Sequence, residues 1–198
     1  MRLLRSTLGL VIGAIAIMAT TAAAPHITPT VVLTEQSDVI RRTLADADNF
    51  FIRAVEIGRD GLERIRAEVS FEPDDAEYNF YYGQDSAGEL VGVVLFPQAN
   101  TQHGPVEVGL TLDRNGVVTS AIMTKATAET RPWVTEAIEA GLMEGFVGLR
   151  HGDDPERALD GLSSDELGSM PYYFSEVTAE AVKRGLALYD ALYVAGDR

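Results

Sequence analysis

The chain has 198 residues with 30 acidic against 16 basic side chains, a formal net charge of −14, and no cysteine. That acidity makes nucleic acid and anionic lipid headgroups poor partners, and leaves solubility or a basic protein surface as its natural reading. The missing thiols exclude a disulfide, a thiolate metal site, an iron–sulfur cluster, a lipoprotein anchor and a cysteine-linked c-type haem.

Met1-Arg2-Leu3-Leu4-Arg5 is basic, Leu8 to Ala19 is apolar, and Thr20-Thr21-Ala22-Ala23-Ala24 supplies the small residues that signal peptidase accepts. The apolar run is shorter than the roughly 20 residues a spanning helix needs. Residues 1–24 are therefore expected to be a cleaved export signal, with an N-terminal inner-membrane anchor as the alternative. Either way the domain is expected outside the cytoplasm, in the periplasm of a two-membrane cell. Loss of Arg2 and Arg5 with the signal leaves it more acidic still. Residues 25–34 read as a linker and residues 35–198 as a single domain with one core.

From Glu35 to Asp46 the spacing is helical, with Val39, Ile40, Thr43 and Leu44 on one side. Phe50 to Val55 reads as a strand. Asp60 to Val69 reads as a second charged helix with Leu62, Ile65 and Val69 inward, and Phe71 to Glu77 as an acidic connection. Strands are expected at Tyr78–Tyr82 and Leu90–Phe96, the latter stopped by Pro97. Val106, Val108, Leu110 and Leu112 alternate with Glu107, Gly109, Thr111 and Asp113, the period of a half-buried strand. Asn115-Gly116 is a strong hairpin signal because both residues tolerate positive φ, and the return strand is expected over Val117–Lys125.

Thr130-Arg131-Pro132 reads as a helix start, a threonine cap followed by a proline where no N–H is needed. This helix is expected to reach about Glu144 and to bury Trp133, Ile138 and Leu142. His151 to Met170 reads as a loop-rich acidic stretch with at most one turn, at Pro155–Leu159. A last helix is expected from Glu176 to about Tyr193, burying Val177, Val182, Leu186, Tyr189 and Leu192, with Ser175 at its cap and Thr178 in its first turn. A hydroxyl there meets the unpaired N–H groups and positive dipole end that favour a phosphate. The predicted class is α+β, a curved and mostly antiparallel sheet with flanking helices.

Other site chemistries find little support. His26, His103 and His151 lack metal-ligand spacing, His151-Gly152-Asp153-Asp154 reads as a solvated acidic loop, and Asp113-Arg114-Asn115-Gly116 is a turn rather than a calcium loop. There is no nucleophile elbow, P-loop or dinucleotide fingerprint.

The long hairpin, then Ala128-Glu129-Thr130-Arg131-Pro132-Trp133, then Thr178 ahead of an amphipathic helix, together resemble the FMN-binding domain of the periplasmic subunits of Rnf-type and sodium-translocating NADH:quinone reductase complexes. The resemblance runs from about Leu44 to Tyr193. The family's motif is Ser/Asp-Gly-Ala-Thr-x-Thr, with its last threonine esterified to FMN by a separate transferase. This chain has Tyr173-Phe174-Ser175-Glu176-Val177-Thr178: the threonine and helix match, but the glycine, alanine and first threonine do not. Glu129-Thr130 corresponds to the start of the family's Glu-Thr-Pro-Gly, with Arg131-Pro132-Trp133 in place of the Pro-Gly turn. The resemblance implies FMN held near Thr178, Ser175, Glu129 and Thr130, covalently at Thr178 or not. Trp133 is a candidate for stacking on the ring, and Lys125 and Arg131 are candidates to offset the phosphate. Lys183 and Arg184 read as ordinary surface charge. The expected role is electron transfer to a redox protein or membrane electron-transfer complex with a basic face, without a substrate of its own. The rival is a flavin-free accessory or assembly subunit.

Overall fold

The computed structural model describes residues 28–56, 58–68 and 77–194. The expected export signal, His26, Val69 and nearly all of the acidic connection at 71–76 lie outside these residues. Seven antiparallel strands form one open sheet, in the order β1 (Thr30–Val32), β7 (Val118–Thr127), β6 (Gly104–Leu112), β4 (Leu90–Leu95), β3 (Glu77–Gln84), β2 (Asn49–Glu56), with β5 (Gln98–Thr101) paired to β6 off this path. The α+β class with helices flanking an antiparallel sheet is thus observed. β1 lies within the stretch read as a linker: Val31 pairs with Ala126, and Leu33 N–H donates to the Thr124 carbonyl. β2 is an outer edge, with Phe50, Phe51 and Ile52 exposed. Among the described residues no helix is long and apolar enough to cross a membrane.

β6 is buried on both faces rather than half-buried. Val106, Val108, Leu110 and Leu112 join the main core beneath the final helix, while Glu107 and Thr111 on the other face are also sealed from water. The reason is α1 (Gln36–Thr43), which lays Val39 and Leu44 over that second face. The approach needs a missing side chain: a Cβ on Gly109 would stand 2.8 Å from Val39 Cγ1. β5 escaped prediction because Gln98-Ala99-Asn100-Thr101 offers only one apolar residue to the core. α2 (Arg59–Glu68) packs Ile65 inward, with Leu62 half-buried.

The hairpin between β6 and β7 closes where expected but by a different turn. Arg114 and Asn115 are its central residues, and only Gly116, at φ 73°, takes the left-handed conformation. Gly116 N–H donates to the Asp113 carbonyl, and Asp113 Oδ1 accepts from the N–H groups of Asn115 and Val117 at 2.8 and 3.0 Å. This is the three-residue loop with a glycine bulge, not the two-residue loop with two positive φ values. Burial pushes the Asp113 carboxyl up in pKa, but the hydrogen bonds from Val117 and Asn115 outweigh it and the net shift is downward.

The expected helix from Thr130 to Glu144 is interrupted. α3 (Arg131–Glu139) stops before Gly141, which has φ 93°, and a short α4 (Leu142–Gly145) follows. Leu142 is buried as expected, while Trp133 and Ile138 are only half-buried. The turn at Pro155–Leu159 is a 3₁₀ segment capped by Asp154, and a further short helix, α5 (Ser164–Leu167), precedes Gly168. The largest departure is α6, which begins at Ser169 rather than Glu176, runs to Leu188, and continues as a π-helical turn over Tyr189–Val194. Pro171 lies in its first turn, where a missing N–H costs nothing.

Candidate functional site

The most chemically loaded side chain in the structure is Glu107, 2 % exposed in the middle of β6. A buried carboxylate is costly unless its oxygens are satisfied, and here they are. Oε1 accepts from Gln36 Nε2 and from Thr124 Oγ1, each at 2.8 Å. Oε2 accepts from Gln98 Nε2 at 2.7 Å and from Lys125 Nζ at 2.8 Å. Burial pushes this carboxyl up, but the bonds from Lys125, Gln36, Thr124 and Gln98 more than offset it and hold it below the ordinary carboxylate range. Four elements converge to make the network. Gln36 comes from the first turn of α1, Gln98 opens β5, and Lys125 faces Glu107 directly across the β6–β7 ladder.

This network forms one wall of a cleft of about 550 Å³, inside the roughly 300–1,000 Å³ range of small-molecule sites. Tyr78, Tyr81 and Phe96 contribute aromatic surface, with Tyr81 and Phe96 edge to face at 5.7 Å between centroids. Asn79 and Asn100 add amides, and Arg184 of α6 adds a second cation, its Nε donating to Glu180 Oε1 at 3.1 Å. The lining also includes Glu77, so the cleft balances two carboxylates against two cations.

The residues singled out from sequence fall into two groups. Lys125 lies in the cleft, and so does Arg184, which had read as plain surface charge. Glu129 and Trp133 lie elsewhere, in a cluster around His103 at the β5–β6 turn. His103 Nδ1 is 3.1 Å from Glu129 Oε1, and Thr28 Oγ1 donates to Glu129 Oε2 at 3.1 Å. Trp133 stacks on the buried Phe174 at 5.7 Å between centroids, with His103 edge-on to both. One of its two flat faces is thus already taken by Phe174. Thr130 does not cap α3 with its side chain; its hydroxyl is buried and bonded to Thr127. Arg131 is exposed at the start of α3 and does not line the cleft.

Ser175 and Thr178 require the clearest correction. With α6 starting at Ser169, Thr178 is about two and a half turns inside the helix, not in its first turn. Its hydroxyl, 1 % exposed, donates to the Phe174 carbonyl at 2.6 Å, and Ser175 Oγ, fully buried, donates to the Pro171 carbonyl at 2.9 Å. Both are back-bonded helix-interior residues. The unpaired N–H groups and dipole end that favour a phosphate are confined to a helix's first turn, so neither hydroxyl has that setting.

Glu107, Gln36, Gln98 and His103 were missed. An acid between two valines in an alternating strand reads as the solvent side. The available signal was that its same-face neighbours, Gly109 and Thr111, are small, which suits a face covered by another element. Comparison of the chain with known protein families, curated proteins and solved structures finds no match. Among the described residues no group of three or more histidine or acidic side chains is placed to hold a metal ion.

Proposed function

We propose that this chain is an exported FMN-binding electron-transfer module of a periplasmic redox chain, holding its flavin without a covalent bond in the cleft walled by Glu107 and Lys125. The observation that carries the reading is the composition of that cleft. Aromatic surface from Tyr78, Tyr81 and Phe96 suits a planar ring, the amides suit its polar edge, and Lys125 and Arg184 supply positive charge for carbonyl oxygens or phosphate. The resemblance of the chain to FMN-binding domains supports the same ligand, and the acidic surface suits a redox protein or membrane complex with a basic face. Bound flavin supplies reversible electron transfer; the protein holds it, orients its edge and limits its contact with water. A second reading, a flavin-free accessory or assembly subunit, is favoured by one observation: Thr178, matched to the family's modified threonine, is buried with its hydroxyl engaged.

The two readings separate on reconstitution. The full chain, incubated with excess FMN and desalted, should retain yellow colour that acid precipitation releases into the supernatant. A colourless protein under these conditions favours the accessory reading. Colour that stays with the precipitate of chain co-expressed with a flavin transferase means a covalent link and contradicts the placement in the cleft.

A further inference from the structure

An ionised carboxylate can only accept hydrogen bonds, which fixes more than the charge of the cleft wall. Gln36 and Gln98 both turn their NH₂ groups to Glu107. In a planar amide the carbonyl oxygen lies on the other side of the same carbon, so both oxygens are turned away from Glu107. Among the described residues neither of these oxygens has a donor. Lys125 spends one of its three N–H bonds on Glu107 and is 32 % exposed at the cleft. Gln36, Gln98 and Lys125 all line the cleft, so the wall carries two amide acceptors and one charged donor.

We infer that Glu107 is a positioning residue that sets this wall to read a lactam or imide edge, a ring N–H beside a carbonyl. One of the two glutamine oxygens accepts from the ring N–H, and Lys125 donates to the neighbouring carbonyl oxygen. The inference rests on the flavin reading, and within it places the pyrimidine edge of the isoalloxazine at this wall. A phosphate directly on Lys125 is disfavoured, because the Glu107 carboxylate touches the same ammonium and like charges that close repel. A carboxylate suits the task where an amide does not. Glutamine at 107 can donate as well as accept, so the orientations of Gln36 and Gln98 would no longer be dictated.

The test compares FMN with its N3-methyl analogue, which lacks the ring N–H, by flavin-fluorescence titration of the full wild-type chain and of Glu107→Gln. Wild type should bind the methylated analogue about tenfold or more weakly, the scale of one lost hydrogen bond with its partner left unpaired. Glu107→Gln should bind FMN more weakly and discriminate less between the two. Equal wild-type affinities, or full discrimination retained in Glu107→Gln, would overturn the inference while leaving the flavin reading in place. Failure of wild type to bind FMN at all would overturn the flavin reading and this inference with it. The ligand comparison in wild type stands whether or not the variant folds.

Discussion

Glu107 and Lys125 face each other across the β6–β7 ladder with Oε2 and Nζ 2.8 Å apart, one almost sealed from water and the other a third exposed. Neither position is required by the strands themselves. The carboxylate is held by groups from α1, β5 and β7, and three of them, Gln36, Gln98 and Lys125, also line the cleft. Groups that stabilise the fold thus also wall the cleft, and substitutions here should report both on stability and on the proposed flavin binding.

The first prediction concerns acid. Glu107 and Asp113 both titrate below their ordinary range in the folded chain. A carboxyl with a depressed folded pKa contributes stability that is fully present above its unfolded value, about 4, and is lost as pH falls through the folded value. Thermal unfolding should therefore show a loss of stability below about pH 4, and Glu107→Gln should flatten that dependence while lowering stability at neutral pH. The neutral-pH loss should be on the order of 1–3 kcal/mol, less than for a fully buried pair because Lys125 keeps contact with water. An unchanged acid profile in the variant would mean that Glu107 is not the group responsible.

For Lys125→Met, affinity for FMN should drop about tenfold to a hundredfold, the range expected for one charge-assisted hydrogen bond. The length of the side chain is kept, so a similar loss in Lys183→Met, which removes an exposed cation outside the cleft, would point to general electrostatics instead. Equilibrium dialysis of both variants against FMN decides between them.

Thr178→Ala should leave FMN affinity within about twofold of wild type. Its hydroxyl bonds the helix backbone rather than the cleft. Intact-mass measurement of chain co-expressed with a flavin transferase should likewise find no added flavin on Thr178. Loss of all flavin in Thr178→Ala would restore the family's threonine chemistry and displace the cleft as the site.

Gly116 carries the hairpin. Replacing it with valine forces a β-branched residue into the left-handed region, at roughly 1–2 kcal/mol. The new Cβ would also stand 3.2 Å from Tyr189 Cε1. A melting temperature equal to wild type would show that the turn closes without Gly116 at positive φ.

How much of this was legible in sequence depends on how local each signal is. The hairpin and the 3₁₀ turn at Pro155–Leu159 rest on a few neighbouring residues, and both were placed correctly. The turn geometry was not, because Asn115-Gly116 fits either of two loops and Asp113, by accepting from Asn115 and Val117, selects the longer one. The start of α6 was missed by seven residues because Ser175 was read as its cap, whereas the helix begins at Ser169 with Pro171 in its first turn. That shift alone moved Thr178 from a helix end to a helix interior. Glu107 could not be identified from its own strand: its burial depends on α1 and β5, which reach it from 71 and 9 residues away.

Whether flavin occupies the Glu107–Lys125 cleft is read by side-chain and backbone NMR of the labelled chain titrated with FMN. With flavin in the cleft, the amide side chains of Gln36, Gln98 and Asn100 and the Lys125 ammonium region shift saturably, with the Trp133 indole and Thr178 largely unmoved. Shifts centred on Trp133, Glu129 and Thr178 with the cleft amides unchanged would contradict it, as would a titration in which no resonance moves.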